Sequence, residues 1–265
     1  MRLLPLLALL AACAAQPAVT PPVPRPETPP PLLRAALEEW TAWGRITVDG
    51  FPDTRPPVVA TPERFARLTN YWRAVPAGQG VANRLEALRG GVQEALMPEP
   101  EGEGDATPVS LTEISVEDIG IYSRPAWSAA FISYVAGRAG LDLPPSATHA
   151  RYVDALLTRA LTDPEGAAFI PFDPAERTPR AGDLLCADRA FTPLLHWRDR
   201  LMEEGVSRPM HCDVVYRAGP GVVEMIGGNV SDVVALRRLP ADRDGRILPA
   251  PIGKPQFFLL LAARG

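Results

Sequence analysis

The chain of 265 residues carries a formal net charge of −4, with 27 basic against 31 acidic side chains. That balance argues against a nucleic-acid partner, whose phosphates call for a basic face. Only one lysine, Lys254, stands among the basic residues, so neither a Ser-x-x-Lys dyad nor a phosphate-loop lysine can be built.

Met1-Arg2 makes a short basic start, and Leu3 to Ala12 is an apolar run of about ten residues. That is the length of a signal-peptide core and about half that of a membrane span. The run closes on Leu10-Ala11-Ala12-Cys13, which resembles a bacterial lipobox. The resemblance implies a signal peptide over 1–12, cleavage before Cys13 and lipidation of its thiol. An ordinary secretory signal with an incidental Cys13 is the alternative. Ala14 after the cysteine implies delivery to the outer membrane, facing the periplasm. From Pro17 to Pro31 the chain carries eight prolines, so residues 13–31 read as an extended tether with too little apolar surface to fold.

Residues 32–110 read as a helical prefix. Leu33, Ala36, Leu37, Trp40 and Trp43 recur at helical spacing before Gly44. Thr61-Pro62-Glu63 is an N-cap, a first-turn proline and an acid suited to the helix dipole. The helix it opens sets Phe65, Leu68, Trp72 and Val75 on one face, and a third follows around Val81, Leu85 and Leu88, broken by Gly90-Gly91. Met97 to Pro108, acidic and rich in glycine and proline, reads as a surface loop.

Residues 111–265 change from helices to strands. A helix carrying Ser128, with Ser123 as its cap and Pro125 in its first turn, ends at Gly137 to Gly140. Another, from about Ala147 to Leu161, carries His149, Tyr152 and Val153. Strands are expected at Asp183 to Cys186, His211 to Tyr216, Val222 to Ile226, Val233 to Arg238 and Gln256 to Leu261. Helices first and an antiparallel sheet afterwards is an α+β order.

Three pieces of this half carry chemistry. They are Trp127-Ser128-Ala129-Ala130-Phe131 at a helix start, the turn Pro179-Arg180-Ala181-Gly182-Asp183 into a strand, and His211-Cys212-Asp213-Val214-Val215 followed by Gly227-Gly228-Asn229-Val230. Their order resembles the CHAP and NlpC-type branch of papain-like amidases and peptidases, with serine in place of the catalytic cysteine. It resembles more closely still the uncharacterised bacterial family domain of unknown function 2272. The resemblance covers about Ile121 to Val234 and implies a papain-like α+β domain acting on, or binding, peptide or amide bonds of peptidoglycan. It puts Ser128 at the nucleophile, His211 at the general base and Asn229 at the residue that orients the histidine. It implies no cofactor and no metal. Nor does the sequence show a His-Glu-x-x-His run or clustered Cys/His spacing.

The chemistry behind that placement is general. A helix start offers unpaired N–H groups and a positive end-field, which suit an oxyanion. A cysteine there ionises readily, whereas a serine must pass its proton to histidine during attack. Ser128 is therefore open to three roles: a working nucleophile, a vestige in a site that only binds, or a residue that merely caps the helix. In the second case the protein is a non-catalytic binding or scaffold module holding peptidoglycan or an envelope protein. Glu224 is an alternative to Asn229 as the orienting residue, and Asn229 alternatively a turn residue. His211 is alternatively a strand-end histidine bonded to a carbonyl. Trp127 and His149 are candidates for the cleft wall, the former also for the core. His149 and His196 are otherwise ordinary surface or satisfied histidines. Cys186 and Cys212 fall on strands whose antiparallel pairing would allow a disulfide in an oxidising compartment. Cys212 should point away from the face that His211 uses.

Overall fold

The computed structural model describes residues 28–96 and 117–264. Cys13, the apolar leader, most of the proline-rich tether and the stretch from Met97 to Pro108 lie outside the described residues.

Helix α1 (Pro31–Ala42) ends where expected. Gly44 takes a φ of +95°, and the Arg45 N–H closes back on the Trp40 carbonyl at 2.9 Å, the geometry of a glycine-terminated helix. Strand β1 (Thr47–Asp49) follows, too short for any period to register in the sequence. Helix α2 (Pro62–Arg73) is capped by the Thr61 hydroxyl, which accepts the Arg64 N–H at 3.3 Å. Phe65, Leu68, Trp72 and Val75 are buried as the periodicity predicts.

Helix α3 (Gly78–Leu96) departs from expectation by running straight through Gly90-Gly91. A glycine stops a helix when the chain turns left-handed there, and neither glycine has a positive φ. Both are carried in the helix at a cost of about 1 kcal/mol each relative to alanine. Leu88, expected on the buried face, is 44% exposed.

After a 3-10 turn (Ile119–Tyr122), whose C-cap is Ser123, helix α4 (Ser128–Arg138) begins later than expected. Ser123 does not cap it, and Pro125, joined to Arg124 by a cis peptide bond, lies before it. Helix α5 (His149–Thr162) leads to strands β2 (Phe169–Phe172) and β3 (Leu184–Asp188), the short helix α6 (Trp197–Leu201), and strands β4 (Met210–Gly219), β5 (Val222–Val230), β6 (Val233–Pro240) and β7 (Gln256–Ala263). Among the described residues these make a mixed α+β fold of six helices and one seven-stranded sheet, ordered β1-β6-β5-β4-β3-β7-β2. The sheet is antiparallel except at one edge, where β1 runs parallel to β6. Cys186 and Cys212 are register partners on β3 and β4 and form a disulfide. Closing a loop of this size contributes about 3 kcal/mol.

The first helices belong to the same core as the sheet. Helix α1 packs on β4, β5 and β6, and both α1 and α2 pack on α4. A buried carboxylate ties the three helices together. Glu39 accepts hydrogen bonds from the Tyr71 hydroxyl at 2.6 Å, from Arg67 at 2.8 Å and from Arg138 at 3.3 Å. The Tyr71 oxygen in turn accepts the Trp43 indole N–H at 2.8 Å. Trp127 stacks on Trp43 and Tyr71 immediately beside this network. Replacing Glu39 with alanine is expected to cost about 2–3 kcal/mol, since both arginines are partly exposed and rehydrate. Urea unfolding of the variant should remain one transition by fluorescence and circular dichroism. Two separate transitions would mark residues 31–96 as an independent unit.

Candidate functional site

Ser128 is the first residue of α4, and His149 is the first residue of α5. The two helix starts meet. The Ser128 hydroxyl and His149 Nε2 are 2.7 Å apart, and His149 Nδ1 lies against the Tyr152 hydroxyl, one helical turn further on. The bond from Ser128 thus goes to His149 and not to His211, where the sequence reading put the base. The physical reason is the connection between the helices. The Ser133 hydroxyl, on α4, donates to the Ser146 carbonyl at 3.0 Å and accepts the Ser146 N–H at 3.0 Å. That clamp brings the start of α5 back beside the start of α4.

No side chain caps α4, and its first helical bond runs from the Phe131 N–H to the Trp127 carbonyl at 3.0 Å. The N–H groups of Ser128, Ala129 and Ala130 therefore have no intrahelical acceptor. Ser128 and His149 are nearly enclosed, 5% and 4% exposed, yet both line an open groove of about 620 Å3. Trp72 of α2, Val81 of α3 and Ala77 in the turn between them form part of its wall, and Arg189 and Met210 another part.

Burial pushes the His149 pKa well below the ordinary imidazole value, and the His211 charge adds to the effect. Asp213 works against it, while Arg189 lowers it further. The ring starts a helix, where the dipole also disfavours a cation. His149 is thus a neutral imidazole at neutral pH. With its proton on Nδ1, donated to the Tyr152 oxygen, Nε2 can accept the Ser128 proton. Burial, followed by the charge of Asp213, raises Tyr152 far above the ordinary phenol value, so it stays protonated.

His211 stands behind His149, with ring centroids 5.7 Å apart. Its Nε2–H donates to Asp213 at 2.9 Å, and Arg237 donates to the other Asp213 oxygen. Burial alone would raise Asp213, but the Arg237 guanidinium and then His211 overturn it and hold the carboxyl well below the usual range. Two residues apart on one strand, His211 and Asp213 point the same way, and Cys212 between them is taken by its disulfide.

Asn229 is not the group that orients His211; Asp213 does so. Asn229 has a φ of +57°, sits at the β5–β6 irregularity, and its buried Oδ1 has no hydrogen-bond partner among the described residues. The glycines before it serve close packing. A Cβ on Gly227 would lie 1.8 Å from Asp213 Oδ1, and one on Gly228 would lie 2.4 Å from Phe131. Glu224 is likewise not the orienting residue, because Arg217 and Arg238 hold it in an ion cluster. Trp127 is fully buried in the core and is absent from the groove lining. His149, expected at most to border the cleft, lines it and holds the Ser128 hydroxyl. Asp183 accepts the Arg180 N–H at 2.8 Å and the Ala263 N–H at 2.9 Å, fixing the turn into β3. His196 is exposed at the N-cap of α6.

Tyr152 and Asp213 were missed as site residues, although the signals were present. His149-x-x-Tyr152 is the spacing of one helix face, and His211-x-Asp213 that of one strand face. Among the described residues no group of three His, Cys, Asp or Glu side chains could hold a metal ion.

Fold and site together define a mixed α+β protein with a serine–histidine pair at a groove. The chain belongs to the family described as "Uncharacterized protein conserved in bacteria (DUF2272)", whose model matches residues 92–255. No curated protein and no solved structure matches it.

The depressed His149 pKa makes stability depend on pH. An unfolded imidazole binds its proton near pH 6.5, and the folded one does not. The unfolded state then binds more protons, so this stability is present above about pH 6.5 and is lost as the pH falls. The wild type should lose about 1 kcal/mol per unit between pH 6 and 5 from this group, measured by urea unfolding. His149→Gln should flatten that slope; an unchanged slope would contradict the neutral buried ring.

Proposed function

We propose that this is a periplasm-facing outer-membrane lipoprotein, anchored through Cys13, whose domain is papain-like and hydrolyses peptide or amide bonds of peptidoglycan. Ser128 is the nucleophile and His149 the general base. What carries the reading is the 2.7 Å hydrogen bond between the Ser128 hydroxyl and a neutral, buried imidazole on the wall of an open groove. In this reading the base comes from the start of α5 instead of the start of β4, a variation on the papain-like pattern.

The steps follow from the geometry. Ser128 Oγ attacks the acyl carbon while His149 Nε2 takes its proton. The N–H groups at the start of α4 hold the oxyanion. Collapse expels the amine, which takes the proton from His149 and leaves an acyl-serine. Water then attacks the acyl-serine, His149 accepts its proton, and that proton returns to Ser128 as the acid departs. Tyr152 fixes the imidazole, and the ionised Asp213 supplies the negative charge that favours the transient imidazolium.

A second reading, a binding or scaffold module using the same groove, is favoured by how little of Ser128 is exposed. One experiment separates them. Soluble protein lacking the leader is incubated with peptidoglycan sacculi, and the released fragments are analysed by mass spectrometry. The expected result is release by the wild type, lowered on the order of a thousandfold by Ser128→Ala or His149→Gln. Undiminished release by Ser128→Ala would refute the serine mechanism. Silence from the wild type with retained sacculus binding would make the protein a binder.

A further inference from the structure

Although the chain as a whole is acidic, its groove is not. Among the described residues that line it there is no Asp or Glu, and the charged side chains are Arg189 and Arg208. These two arginines differ. Arg208 is fully engaged, donating to Asp188 at 2.8 Å and to both oxygens of Glu203, with the Thr192 carbonyl as a further acceptor. Arg189 is exposed, and its guanidinium forms no hydrogen bond or ion pair with a described residue. It is nonetheless close enough to His149 for its charge to act on that ring.

A guanidinium without a partner among the described residues, on the wall of a groove that Trp72, Val81, Ala129 and Met210 also line, presents a planar fork of donors to whatever enters. The complement of that fork is a carboxylate, taken in two parallel N–H···O bonds. Arg208 cannot serve, since its donors are already committed. Lysine would not be equivalent, because a point charge lacks the fork that both holds and orients a planar anion.

From this we infer that Arg189 selects substrates carrying a free carboxylate, and that the ligand class of the groove is an acyl or peptidyl compound with an apolar body and one such group. The inference rests on the groove being the binding site proposed above, but not on Ser128 being catalytic.

The test separates binding from catalysis by using the full soluble chain with Ser128→Ala. Two probes are titrated by calorimetry: N-acetyl-alanyl-alanine with its free carboxylate, and the same dipeptide as its C-terminal amide. The carboxylate form should bind about tenfold more tightly, a difference that shrinks as salt rises. Adding Arg189→Ala should bring the two probes within about twofold of each other, and Arg189→Lys should fall between. Equal binding of the two probes, undetectable binding of both, or a preference that survives Arg189→Ala would each overturn the inference. A protein that keeps the preference but releases nothing from sacculi would overturn the catalytic reading alone.

Discussion

A neutral imidazole enclosed by protein needs a hydrogen-bond partner on each ring nitrogen, and the site is arranged around that constraint. His149 has Ser128 on one nitrogen and Tyr152 on the other. Meeting it takes two helix starts brought to the same point, which the Ser133–Ser146 clamp accomplishes. It also requires α4 to be held firmly, and the Glu39 network does that by joining α1, α2 and α4 through one buried carboxylate. The first helices are therefore more than a prefix. Through Trp72 and Val81 they also supply part of the groove wall.

The two buried histidines are made different by their surroundings. His211 donates to an ionised carboxylate that is itself anchored by Arg237. His149 has only neutral hydrogen-bond partners and starts a helix, and burial above all holds its pKa down. One imidazole is thus a structural donor and the other is free to accept a proton. The pair lies close enough, at 5.7 Å between ring centres, for the charge state of one to bear on the other.

Much of the fold was legible in the sequence because it is carried by local signals. The Thr61 cap, the Gly44 stop and the five strands between residues 183 and 261 all follow from caps, periodicity and turn residues. The full length of α3 is not legible because Gly90-Gly91 looks like a stop, though only a left-handed glycine acts as one. Strand β1 was invisible because three residues pair with a partner some 190 positions away. In the site, the helix start bearing Ser128 was legible. The identity of its histidine was not, because the choice between His149 and His211 is decided by where a connecting segment folds back. Asn229 looked like a polar third residue because it follows two glycines, but those glycines make room for Asp213 and Phe131.

If His149 activates Ser128 as proposed, a fluorophosphonate, which phosphonylates activated serines, should react with the soluble protein at that hydroxyl, and peptide mass spectrometry locates the adduct. A single adduct on Ser128, lost in His149→Gln but retained in His211→Gln, is the expected result. No adduct, or labelling of Ser128 that is unaffected by His149→Gln, would contradict it.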